Sequence, residues 1–217
     1  MPSGYAVYYP QGNVNSVDKM WWAIVCQKLG MTYVNTSWSG SRVSGDPKGT
    51  TAYAACSDKR VQDVGRLGTP DIIICYISCN DWGNDISIGI WQTNDPIEQN
   101  ISTTISELRY AYALMLYKLS KSYPRARIFC CSNLDDTQRD RVSGWPSNNR
   151  NNVSTYEWNK NIKEVAEALG AIFVDLHACG INYANISNFV VDSGLHPNAE
   201  GHRIMADYIT AQLIANY

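Results

Sequence analysis

The stretch Pro70-Asp71-Ile72-Ile73-Ile74-Cys75-Tyr76-Ile77-Ser78-Cys79-Asn80-Asp81 decides the fold class. Six apolar residues run without alternation after a Pro-Asp start, and the run breaks sharply into polar residues. A continuous run of that length predicts a strand covered on both faces, as in a parallel sheet with helices packed on each side. It is the most apolar run in the chain, so it is expected at the centre of the sheet.

Working outward, the rest of the chain alternates in kind. Trp21 and Trp22 to Leu29 predicts a helix, with Ser16 as its cap and Gly30 just past its end. Tyr33-Val34-Asn35 predicts a short strand, and a helix is expected over about 58–66. Asp95-Pro96-Ile97-Glu98 has the order of a capped helix start. Ile101, Ile105, Leu108, Tyr112, Met115 and Leu119 then repeat at steps of three and four, up to Tyr123-Pro124. Ala126–Cys131 predicts the next strand, and Ser154-Thr155-Tyr156-Glu157 caps a helix up to Gly170. Ala171–Leu176 reads as a strand, and Asn198 caps a last helix to about 215. Alternation of this kind implies right-handed βαβ units: a three-layer, doubly wound, flavodoxin-like α/β sheet. The 217 residues carry no repeat and no composition break, so one domain over 1–217 is expected.

A net charge of −2 and a pI near 5.9 give no electrostatic reason to expect nucleic acid as a partner. No apolar run reaches the roughly 18 residues of a membrane span. Seven cysteines form no CxxC pair and no metal-ligand spacing, so they read as buried thiols, and neither a metal nor a cofactor is expected. The sequence as it stands shows no signal peptide and would be cytoplasmic; secretion or a periplasmic location is expected instead if an N-terminal segment has been lost.

Parallel sheets place ligands at the carboxyl ends of their strands. Gly40, Asn80, the Asn- and Arg-rich loop 133–153 and His196 all follow predicted strands. Val191-Asp192-Ser193-Gly194-Leu195-His196-Pro197-Asn198 is the second informative stretch. Pro197 biases His196 toward extended backbone, holding the imidazole on a stiff loop at a helix entrance. Such a His can serve as a general base, although a lone His more often only packs or caps.

These residues resemble the SGNH hydrolase superfamily, the GDSL-like lipases and carbohydrate esterases. Asn35–Ser41 is similar to that family's second block, with Gly40 as its glycine. Ser78-Cys79-Asn80-Asp81 is similar to the third, with Ser78 in place of the usual Gly. Asp192 to His196, followed by Pro197-Asn198, is similar to the fourth. The resemblance implies a serine esterase acting on acylated carbohydrate or other small esters. His196 would be the base, Asp192 its orienting acid, and the Gly40 N–H and Asn80 amide the oxyanion donors. Two departures stand out: the acid lies four residues before the His rather than three, and no Gly-Asp-Ser occurs in the sequence. The resemblance therefore implies that the family's first strand and its nucleophile are missing, leaving this chain inactive by itself. A sheet missing its first strand would carry a raw edge, and a homodimer through that edge is expected. Ser16, Ser39, Ser41 and Cys79 read better as cap, turn formers and inert thiol than as substitutes for the Ser. Trp82 and Trp145 are candidates to stack on a sugar, though large aromatics usually pack; Arg42 is a candidate clamp for a substrate carboxylate. The alternative is a non-catalytic relative that keeps the crevice and binds a ligand. A nucleotide site is disfavoured by the absence of GxGxxG and Walker patterns.

Overall fold

In a computed structural model, the described residues are 12–49, 54–98, 101–134, 148–191 and 196–217. Three strands, β1 (Ile72–Cys75), β2 (Arg127–Cys131) and β3 (Ile172–Val174), form a parallel sheet in the order β1-β2-β3. The helices are α1 (Trp21–Leu29), α2 (Asp58–Val64), the short α3 (Cys79–Gly83), α4 (Leu108–Ser122), α5 (Thr155–Ala168) and α6 (Ala199–Asn216). A small antiparallel pair of two-residue strands, β4 (Val190–Val191) and β5 (His196–Pro197), precedes α6.

β2 is the element that organises the layers. Its side chains alternate across the sheet, and both faces are covered. Ile128 and Cys130 join a core built with α2, α4 and α5, including Val61, Leu116 and Trp158. Phe129 and Cys131 join a second core built with α1 and α6, including Val25, Met205 and Ile209. Helices therefore cover both faces of a parallel sheet, the α/β class that the apolar run at 72–77 implied.

Several local expectations are corrected. β1, expected at the centre, has β2 on one side only among the described residues, and its burial alternates. An apolar run reports that faces are covered, not how many strands lie beside it. Tyr33-Val34-Asn35 forms no strand, because nothing in the described chain pairs with it. The helix expected after Asp95 begins only at Leu108. Ile105 instead exchanges backbone hydrogen bonds with Gly45 (both 2.9 Å), and Asp95 closes a turn by accepting from the Gln92 N–H (2.6 Å). The apolar spacing persists through this extended segment because Ile105 is buried in the core and Ile101 packs partly buried against it. The Ser57, Ser154 and Asn198 side chains cap α2, α5 and α6, whereas Ser16 makes no side-chain cap.

Candidate functional site

The break from β1 into α3 forms the first wall of the site. The chain turns at Ser78 with φ +110°, in the left-handed region where glycine is easiest, which fits the Gly that the resemblance implies there. Ser78 remains because its hydroxyl is used: it accepts from the Trp158 indole N–H (3.1 Å) and lies 3.4 Å from Asn133 Oδ1. Asn80 follows at the start of α3. Its Nδ2 donates to the Ser41 carbonyl (3.0 Å), which uses one of its two N–H bonds and leaves the other to donate elsewhere.

Asp81 performs the fixing. Fully buried, its carboxylate accepts from the Val43 N–H (2.8 Å) and the Ser44 N–H (2.9 Å), pinning the loop after Gly40 onto α3. Burial pushes the Asp81 carboxyl up from the ordinary value, opposed by those hydrogen bonds and by Arg42 nearby. Gly40 itself has φ +75° with open space where a Cβ would stand. Through Ser41 and Asp81 the turn at Gly40 and the Asn80 amide are joined into one rigid corner.

The other sequence candidate, His196, lies at the entry to α6. His196 pairs with Val191 in the small hairpin, and Pro197 is buried behind it. Asn198 holds this entry from both sides: Oδ1 accepts from the Gly201 N–H (2.9 Å), Nδ2 donates to the Asn188 carbonyl (2.8 Å), and its N–H donates to the Phe189 carbonyl (2.8 Å). Gly201 is required there, since a Cβ would lie 2.2 Å from the Phe189 oxygen. His202, on the buried side of α6, accepts from the Trp21 N–H at Nδ1 (3.4 Å). Burial, with His196 adding to it, pulls the His202 imidazole down to about 4. The Trp21 ring in turn meets Tyr76, just beyond β1, edge-on at 5.9 Å. A continuous chain of contacts thus runs from the helix behind His196 to the end of β1 that leads to Asn80.

Other sequence candidates fare differently. Trp82 is 1% exposed, sits in the α2/α4/α5 core, and donates its indole N–H to the Val153 carbonyl (3.0 Å). It is core and cannot stack on a sugar. Arg42 is half-buried, with its backbone bridged to Ala54 and its charge beside Asp81, which makes it part of the corner's support. Asp192 and Trp145 lie outside the described residues.

Sequence reasoning missed a polar network at the carboxyl ends of β2 and β3. Asn159 donates to the Asn133 carbonyl (2.9 Å), accepts from the Asn133 N–H (3.0 Å), and lies 3.3 Å from His177 Nε2. Ser132 Oγ lies 3.3 Å from Asp175 and accepts from the Leu176 N–H (2.8 Å). The available signal was that Ser132, Asn133, Asp175 and His177 follow strands, but isolated polar residues are too common in loops to single out, and Asn159 lies inside α5.

The comparisons with known proteins agree with this fold. The family model of the GDSL-like lipase/acylhydrolases matches residues 1–164. An acetylxylan esterase from Xylanibacter ruminicola is 28% identical over 150 residues, 66% of this chain but only 28% of that relative's length. A GDSL-like lipase structure from Bacteroides ovatus superposes with a TM-score of 0.68 at 21% identity, over 98% of this chain and 88% of the other. A Lactobacillus plantarum protein reaches 0.75 at 18% identity, covering 99% and 94%. The structure of a carbohydrate esterase family 2 enzyme with a carbohydrate-binding domain, from Corynascus thermopiles, reaches 0.58 at 21%, covering 98% and 60%. The structures share the fold, and the sequence match over three quarters of the chain carries the assignment: this protein belongs to the GDSL-like lipase/acylhydrolase family.

Proposed function

We propose that this chain forms the oxyanion and base half of an SGNH-type ester hydrolase for acylated carbohydrate, with the serine nucleophile carried on a segment outside these 217 residues. One observation carries the reading. The Asn80–Ser41 hydrogen bond and the Asp81 clamp hold a glycine turn and a side-chain amide together, leaving one amide N–H and the Gly40 N–H to meet a developing oxyanion. Donors fixed before reaction are worth most, since no reorganisation is needed as charge develops. The 28% identity to an acetylxylan esterase favours acetylated sugars among the esters.

In this reading His196, oriented by Asp192, accepts the proton of the serine hydroxyl as Oγ bonds to the ester carbonyl carbon. The tetrahedral oxyanion receives N–H bonds from Gly40 and Asn80. The ester C–O bond then breaks, His196 returns the proton to the leaving alcohol, and water repeats the sequence on the acyl-enzyme to release acetate.

The test compares this chain with an extended form bearing an upstream Gly-Asp-Ser, on acetylated xylo-oligosaccharides. The extended form should hydrolyse them and lose that activity on His196→Ala, while the 217-residue chain should be nearly inert. Rapid turnover by the short chain would refute the missing nucleophile. An inactive extended form that still binds the sugar would favour the alternative, a ligand-binding relative, which the absence of Gly-Asp-Ser from the sequence also fits.

A further inference from the structure

The first turns of α5 lie against the carboxyl ends of β2 and β3, because Asn159 bonds to Asn133 and reaches His177. Ser154 caps the helix by accepting from the Glu157 N–H (3.1 Å), which fixes Tyr156 at its start. Residues three apart on a helix share a face, so Tyr156 meets the same His177 that Asn159 reaches. The two rings lie 4.4 Å apart, tilted by 45°. His177 is a fixed backing for the tyrosine. Its Nε2 lies 3.3 Å from Asn159 Nδ2, its N–H donates to Asp175 Oδ1 (3.2 Å), and its side chain is only 12% exposed. Tyr156 in front of it is 45% exposed, whereas Trp82 and Trp158, which pack, are almost fully buried. Asp175 stands beside the pair with its side chain 51% exposed. Among the described residues it is held at Oδ1 alone, by the His177 N–H and by Ser132 Oγ (3.3 Å), and a carboxylate has further acceptor positions at Oδ2. The surroundings are acidic, since Glu157 is also exposed and Lys160, one turn on, lies 3.9 Å from Glu164.

We propose that Tyr156, backed by His177, is a stacking platform for a neutral pyranose, with Asp175 accepting from that sugar's hydroxyls. The bound sugar is a backbone unit of the polysaccharide, removed from the unit that carries the ester. The proposal rests on the esterase reading above for where the reacting sugar lies, and on the Tyr156–His177–Asp175 cluster for where the second sugar binds. A pyranose with equatorial hydroxyls presents C–H bonds on its faces, and these suit the electron-rich face of an aromatic ring. An ionised carboxylate accepts and cannot donate, so it takes hydroxyls and repels the carboxylate of a uronic acid. Spacing fits the role. Neighbouring strands lie about 4.8 Å apart, so the ends of β1 and β3 are separated by about 10 Å. Asn133 spans part of that gap, with its Oδ1 3.4 Å from Ser78 Oγ, just before Asn80. An oligosaccharide bridges that distance and a lone acetyl ester does not.

The experiment titrates the intact 217-residue chain with unacetylated xylotetraose, followed by NMR amide shifts and by calorimetry. Saturable 1:1 binding is expected, with shifts centred on 155–157 and 175–177. Tyr156→Ala should weaken it about tenfold, the equivalent of one lost aromatic contact, while Tyr156→Trp should bind as tightly as the parent. Tetragalacturonate should bind about tenfold more weakly than xylotetraose at low salt, because the acidic rim repels it. No saturable binding of xylotetraose, unchanged affinity in Tyr156→Ala, lost affinity in a folded Tyr156→Trp, or equal affinity for tetragalacturonate would each overturn the platform. A second arm separates it from the hydrolase reading. In the extended form, Tyr156→Ala should raise KM for acetylated xylotetraose about tenfold with little change in kcat, since stacking is equal in ground and transition states. If xylotetraose binds through Tyr156 yet the extended form releases no acetate, the platform stands and the hydrolase reading falls. If acetate is released and Tyr156→Ala leaves KM where it was, the hydrolase reading stands and the platform falls.

Discussion

At the residue scale, Ser78 sets two effects against each other. A non-glycine residue at φ +110° costs on the order of 1 kcal/mol, which Ser78→Gly would recover. The same change strips the partner from the buried Trp158 indole N–H, at a cost of about 1–3 kcal/mol. The second effect is the larger, so Ser78→Gly should lower the urea midpoint by the equivalent of about 1 kcal/mol even though it restores the family's residue. A higher midpoint would show that the Trp158 hydrogen bond contributes nothing. Asn80→Ala asks a different question. In the extended enzyme it should cut kcat about 10²–10³-fold with little change in KM, the signature of a donor used mainly in the transition state. An equal rise in KM at constant kcat would instead make Asn80 a ground-state binding residue.

Among the elements, α6 is where the site meets the fold. Adding a methyl at Gly201 would gain about 1 kcal/mol of helix propensity. It would also drive a Cβ to 2.2 Å from the Phe189 oxygen, a backbone atom that cannot swing aside. Overpacking costs typically 1–3 kcal/mol, and a backbone contact belongs at the upper end. Gly201→Ala should therefore destabilise by about 2 kcal/mol, and in the extended enzyme lower activity further by tilting the hairpin that carries His196. Thermal unfolding and ester hydrolysis measured on the same variant check both halves. A neutral outcome in stability would mean that α6 can slide along the Phe189 segment.

For the whole molecule, the informative group is His202, because it joins α1 to α6 by accepting from the Trp21 N–H. Its imidazole titrates near 4 when folded and near 6.5 when unfolded. The unfolded chain therefore binds the proton first as pH falls. Stability from this group is complete above about pH 6.5 and is lost progressively down to about pH 4, up to about 3 kcal/mol in all. Denaturant midpoints between pH 7 and 4 should fall accordingly, and the His202→Gln variant should show a flatter slope over that window. An unchanged slope in the variant would place the acid sensitivity elsewhere.

The blocks around Gly40, Asn80 and His196 were legible only as a family resemblance, whereas the chain by itself determined the alternating α/β class, the caps at Ser154 and Asn198 and the turn at Gly30. Each is written in local chemistry: the period of apolar residues, a capping hydroxyl or amide, a residue type that tolerates positive φ. What neighbours a strand is not local. The run Ile72–Ile77 reads as central because apolar side chains record burial, whereas hydrogen-bond partners belong to backbone that every sequence shares. The same limit hid the late start of α4, where Ile105 bonds to Gly45, and it let Trp82 pass for a ligand-stacking residue when its ring closes the core. Only the tertiary structure decided that Asp81 pins the Gly40 loop and that His202 ties two helices. Those are contacts between residues 37 and 181 positions apart, and no window along the chain contains both partners.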